Sequence, residues 1–116
     1  MATLLLDPQL IAEIKHIEKV TGQSNLLSGF VRRLEDNLAE FRPAFSECIA
    51  RRDTSGAARA AHTLRGACRQ LGARELGDLF DAIEISARAG NYAEAQRRFD
   101  GAAELIAQSL EALKRA

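Results

Sequence analysis

Apolar residues recur every three or four positions along almost the whole chain, and the runs are punctuated by glycine, proline and capping residues. That spacing lays one apolar stripe along each helix, and no stretch shows the sustained alternation of a half-buried strand. The chain is therefore expected to be all-α. The first helix opens at Asp7, a good N-cap, with Pro8 in the first helical position, and fades at Thr21 and Gly22. Its apolar set is Leu10, Ile11, Ile14, Ile17 and Val20. A long second helix is expected from near Ser24, carrying Leu27, Phe30, Val31, Leu34, Leu38, Phe41, Phe45 and Ile49. Pro43 inside it removes a backbone donor and should kink the helix or end it early. The third helix, capped by Asp53 or a neighbour, runs to about Gln70 and turns Ala57, Ala61, Leu64, Cys68 and Leu71 inward before Gly72 stops it. The fourth runs from about Arg74 to Arg88 with Leu76, Leu79, Phe80, Ile83 and Ala87 inward. A fifth, capped by Asn91, continues through Tyr92, Ala95, Phe99, Ala102, Ala103, Ile106, Leu110 and Leu113.

Short connections make sequential helices antiparallel, so the four long segments close most simply as an antiparallel up-down four-helix bundle with the additional short N-terminal helix across one end. Residues 1–116 are expected to form a single domain, since 116 residues suffice for one core. The stripes fill the interior of such a bundle and leave its outer faces for function.

Sixteen basic residues balance sixteen acidic ones, so the chain lacks the overall positive field with which a nucleic-acid binder gathers phosphates. No apolar run reaches the roughly 18–20 residues of a membrane span, and the run Leu4 to Leu6 is too short for a signal-peptide core. No nucleic acid and no membrane partner is expected, and the location is expected to be cytoplasmic. Met1 and the clean ends favour a free-standing protein. Cys48 and Cys68 have no CxxC partner and read as small core residues rather than as a zinc site or disulfide.

The third helix carries a second stripe, Arg59, His62, Arg65, Gly66 and Arg69, set off from its apolar one. His62 is thus directed to solvent. Gly66, one turn later, costs a helix about 0.8–1 kcal/mol relative to alanine. Either something must approach His62 closely, or the glycine permits tight helix packing. Arg65 can set a guanidinium beside the imidazole, and Arg59 and Arg69 widen the positive strip. The same arginines are compatible with a solvated face of i,i+4 ion pairs.

His62 lies 11 residues before the turn at Ala73 and Glu84 lies 11 after it, so both stand at a similar height in the helical hairpin. Glu84 can accept a hydrogen bond from one ring N–H, fixing the tautomer and leaving the other nitrogen with a lone pair for attack. Which nitrogen is which stays open at this level. The same height rule sets Asp81 near Arg65 and Arg88 near Arg59.

The residues Ala61-His62-Thr63-Leu64-Arg65-Gly66-Ala67-Cys68, followed by Leu71-Gly72-Ala73, resemble the signature of histidine-containing phosphotransfer (HPt) domains, commonly written AHxLKGxxxxLG. The similarity extends over nearly the whole chain. It implies that His62 is the phospho-acceptor, with Arg65 in place of the usual lysine at +3, Gly66 at +4, Glu84 at the Glu/Gln position at +22 and Arg88 at the polar position at +26. It further implies a phosphorelay intermediate without kinase activity, working between response-regulator receiver domains and a hybrid sensor kinase. No cofactor is expected on this chain, because the Mg²⁺ belongs to the receiver, and a monomer is expected.

An alternative is a bundle that only binds signalling proteins and is never phosphorylated; a decayed module of that kind would have lost part of the set His62, Arg65, Gly66 and Glu84. A metal-binding bundle would need inward carboxylates and histidines at Glu-x-x-His spacing, and His16 and His62 lie on separate helices without it. The helix of His16 also lacks a following cation and glycine, so His16 reads as a surface residue.

Overall fold

The computed structural model describes residues 5–116, so Met1 and Leu4, on which two of the expectations above rest, lie outside the described residues. The described residues form six helices: α1 (Pro8–Thr21), α2 (Leu26–Ala50), α3 (Thr54–Leu71), α4 (Arg74–Arg88), α5 (Tyr92–Asp100) and α6 (Ala103–Arg115). Among the described residues there is no strand. None of these helices is long and apolar enough to cross a membrane.

Local chemistry explains most of the boundaries. The Asp7 carboxylate accepts from the amides of Gln9 and Leu10 at 3.1 and 3.3 Å, and Asp53 accepts from Gly56 at 2.9 Å. α2 starts at Leu26, just after Ser24, and Asn25 makes no side-chain cap. The orphan amide of Leu27 is taken instead by the Glu18 carboxylate of α1 at 2.9 Å. Pro43 neither ends nor interrupts α2, which continues to Ala50. Pro43 and Ala39, whose carbonyl loses its donor, are both exposed residues, so the missing bond falls on the solvent side of the helix.

Gly72 ends α3 with φ +84°, a left-handed conformation, while its amide and that of Ala73 bond back to Arg69 and Cys68. A side chain there is disfavoured twice over, because a Cβ would also lie 3.3 Å from Ile11 Cδ1 of α1, which would have to give way. The Asp7 amide donates to the Gly72 carbonyl at 2.8 Å and the Glu75 amide to the Leu5 carbonyl at 3.3 Å. α1 thus begins against the α3–α4 turn and ends against the start of α2.

Four of the five phenylalanines form the centre of the core. Phe41 stacks on Phe45 at 4.8 Å between centroids and meets Phe80 and Phe99 edge-on at 5.1 and 4.8 Å, tying α2 to α4 and α5. The inward stripe expected for α3 is wholly buried, as are Leu76, Phe80, Ile83 and Ala87 of α4.

Several expectations fail, each for a definable reason. Ile17 and Val20 are exposed, because α1 packs on the rest of the molecule through Ile11 and Ile14 and these two side chains lie on its solvent side. Phe30 is also exposed, beside a shallow groove lined by Leu34 of α2 and by Ala67, Gln70 and Leu71 of α3. Cys48 is only half-buried, whereas Cys68 is fully buried, and burial pushes the Cys68 thiol up to about 12. The single fifth helix is instead two. At Gly101 and Ala102 the chain leaves helical geometry, with the Ala102 amide bonding to Phe99 at 3.0 Å in a tightened final turn. Glycine at the break has low helix propensity. The helical phase is reset there, so Ala103 is exposed and Ser109 is buried.

Candidate functional site

The inward face of α3 is built from small side chains, with Ala57, Ala58, Ala61 and Cys68 all inaccessible. Small residues let a neighbouring helix approach closely, and α4 answers with Gly77, where a Cβ would lie 3.2 Å from Arg69 Cγ and 3.6 Å from Cys68 Cβ. The helices run antiparallel, as the cross-pairs show. Arg69 meets Asp78 at 3.8 Å, Arg65 meets Asp81 at 2.9 Å and His62 meets Glu84 at 3.2 Å, in opposite numerical order along the two helices.

The His62 side chain is 55% exposed and the Glu84 side chain 8%. The ring is therefore accessible while the carboxylate that orients it is not. His62 Nδ1 lies 3.2 and 3.3 Å from the two Glu84 oxygens. Nε2, the other ring nitrogen, makes no hydrogen bond among the described residues. Burial alone would raise the Glu84 carboxyl, but hydrogen bonds from Arg88 and His62 and the charges of His62 and Arg65 outweigh it and hold it below the usual carboxylate range. Glu84 is thus ionised near neutral pH and can only accept. The tautomer that satisfies it carries hydrogen on Nδ1, which leaves the Nε2 lone pair free.

The arginines are more committed than the sequence implied. The Nε and Nη2 of Arg88 both hold Glu84 Oε2, at 3.0 and 2.8 Å. The i,i+4 spacing of Glu84 and Arg88 was the available signal for that fork. Arg65 donates from Nη1 to Asp81 Oδ1 at 2.9 Å, and its Nη2 lies 3.1 Å from His62 Nδ1. Arg69 lies over Gly77 and faces Asp78 across an exposed 3.8 Å gap, so it is displaced toward the turn. Arg59 forms no ion pair among the described residues.

Gly66 is exposed on the face of His62, and a Cβ built there meets nothing within 4 Å. Tight helix packing is therefore the work of Gly77, not of Gly66. What Gly66 leaves open is the space beside the imidazole. His16 is an exposed residue of α1, and no group of three or more His, Cys, Asp or Glu side chains able to hold a metal occurs among the described residues.

No curated protein and no solved structure matches the chain. The model of one family, the Hpt domain, matches residues 25–116, which includes all of α2 to α6 and every residue of this cluster. An exposed imidazole held by a buried carboxylate on an all-helical scaffold agrees with that match, and the chain belongs to the Hpt domain family, the histidine-containing phosphotransfer domains of two-component signalling.

Proposed function

We propose that this chain is a phosphorelay intermediate whose His62 accepts a phosphoryl group from the phospho-aspartate of one receiver domain and yields it to another. The scaffold in this reading is an antiparallel up-down bundle of α2, α3, α4 and the α5–α6 pair, with α1 across one end. The observation that carries the proposal is the Nδ1 contact to a buried, ionised Glu84 at 3.2 Å, which leaves Nε2 without a partner among the described residues on a side chain that is 55% exposed.

In the forward step the Nε2 lone pair attacks phosphorus, an N–P bond forms, and the P–O bond to the aspartyl carboxylate breaks with its electron pair leaving on that carboxylate. The ring keeps its Nδ1 proton and becomes a phosphorylated imidazolium. Its new positive charge faces the Glu84 carboxylate, so the same contact that selects the tautomer also stabilises the charge that develops. The reverse step returns the group to an aspartate with no proton to relocate. The chain acts as a carrier and not as a kinase, and the Mg²⁺ of the reaction is assigned to the receiver. Gly66 leaves room for the incoming domain, and Arg59, Arg65 and Arg69 give the surrounding face its positive charge.

The test is incubation with a phosphorylated receiver domain and Mg²⁺, comparing the native chain with His62→Gln. The native chain is expected to take up acid-labile, base-stable label and the variant none. Label that survives the substitution identifies another acceptor, and absence of label across a broad receiver panel favours a scaffold that only binds.

A further inference from the structure

The arginines Arg59, Arg65, Arg69 and Arg88 surround His62 on α3 and α4, and they differ in what they hold. Arg88 spends Nε and Nη2 on Glu84 Oε2 at 3.0 and 2.8 Å. Arg65 gives Nη1 to Asp81 at 2.9 Å and sets Nη2 3.1 Å from His62 Nδ1. Arg69 faces Asp78 at 3.8 Å, toward the turn. Arg59 is exposed, and its guanidinium makes no ion pair and no hydrogen bond among the described residues. The hydroxyl next to His62 is spent as well, because Thr63 Oγ1 donates to the Arg59 carbonyl at 3.0 Å.

The commitments also fall on one edge of the ring. Glu84 and Arg65 both meet Nδ1, whereas a phosphoryl group is carried on Nε2, and the in-plane directions of the two nitrogens diverge. Arg65 comes to Nδ1 from the turn that follows His62. Helical side chains incline toward the N-terminus, so the His62 ring leans over the preceding turn, which carries Arg59. Residues three apart on a helix have Cβ atoms about 5–6 Å from each other, a span that an arginine side chain covers.

We infer that Arg59 holds the phosphoryl group on His62, and that Arg65, committed to the other edge of the ring, does not. A guanidinium presents its donors in a planar fork that matches phosphate oxygens, and the fork of Arg59 has no ion pair to break before turning to them. Arg65 would first have to release Asp81 or leave Nδ1. During transfer, negative charge spreads over the three phosphoryl oxygens, so the same fork stabilises the group as it arrives and as it departs.

This inference rests on the relay reading for the atom that is phosphorylated, but its test needs no receiver. Phosphoramidate is the probe: the Nε2 lone pair attacks phosphorus, an N–P bond forms, and ammonia leaves with the electron pair of the old P–N bond. In ¹⁵N spectra of the phosphorylated chain, coupling to ³¹P through a hydrogen bond is expected at the Arg59 guanidinium and not at Arg65. Arg59→Gln should take up the group from phosphoramidate about fivefold more slowly, the upper end for one exposed ion pair, with its thermal unfolding unchanged. Arg59→Lys, which keeps the charge, should retain most of the rate. Coupling at Arg65 instead or at neither arginine, or a native rate in Arg59→Gln, overturns the assignment. An Arg59 that engages the group in a chain that no phosphorylated receiver labels upholds the assignment and overturns the relay reading. A His62 that neither phosphoramidate nor a receiver modifies overturns both.

Discussion

The two faces of α3 are made by opposite means. Inward, Ala57, Ala61, Leu64, Cys68 and Leu71 are useful because other atoms press against them, and the phenylalanine cluster lies beyond them in the same core. Outward, Gly66 is useful because nothing does: no neighbour lies within 4 Å of a Cβ built there, and the His62 side chain on the same face is 55% exposed. The lesson is that an exposed imidazole is oriented by a dense interior directly behind it: close packing of α3 on α4 brings a carboxylate from the second helix under the ring of the first.

The sharpest way to break this contrast is to damage the interior alone. Phe80→Ala, at a fully buried side chain 5.1 Å from Phe41, should lower unfolding free energy by about 3–5 kcal/mol in chemical denaturation. The fraction still folded should accept phosphate at a near-native rate, whereas a parallel loss of rate would show that the outer face depends on fine core geometry.

Titration should separate the faces by pH. The Cys68 thiol is raised from 9.0 to about 12 in the folded chain, so its contribution to stability is complete below pH 9 and disappears as pH rises toward 12. The stability advantage of the native chain over Cys68→Ala should shrink across that window, by up to about 4 kcal/mol. Glu84, lowered in the folded chain, has the opposite sign: its contribution is present above the ordinary carboxylate pKa and is lost as pH falls through the depressed folded value. The gap between native and Glu84→Gln should therefore close in acid. Overlapping pH windows for the two variants would contradict this division.

The smallest effects come from the two glycines. Gly66→Ala should stabilise the chain by about 0.8–1 kcal/mol, since helix propensity rises and no atom is displaced. Gly77→Ala should gain less, because the new methyl must push the Arg69 stem aside from 3.2 Å. A larger side chain at the open position, Gly66→Gln, should remain folded yet slow phosphoryl uptake from a receiver, and an unchanged rate would remove the steric role of this glycine.

Much of α3 and α4 was legible in the chain because their stripes, caps and stop signals agree with one another. Counting residues outward from Ala73 was enough to bring His62 to Glu84, as rise per residue is constant and the turn is tight. Other features depend on information that periodicity does not carry. The stripe of α1 continues through Ile17 and Val20 whether or not a partner covers them, and the sequence after Asn91 keeps a helical period across Gly101 although the helix itself does not. Long arginine side chains have several partners within reach, which is why the choice of Arg88 for Glu84 emerged only from the fold, whereas the height rule already sets Asp81 near Arg65. Depth was hidden for a similar reason: Glu84 sits beside the apolar stripe in projection but is 6% exposed in the fold.

The family match begins at residue 25, beyond the end of α1, yet α1 is bonded at both of its ends, through Asp7 to the Gly72 carbonyl and through Glu18 to the Leu27 amide. It ties the α3–α4 turn to the start of α2. A slip of α3 along α4 by a single turn, about 5.4 Å, would carry the carboxylate out from beneath the ring. The alignment of donor and acceptor atoms at mid-bundle is thus secured in part by a segment that touches neither of them.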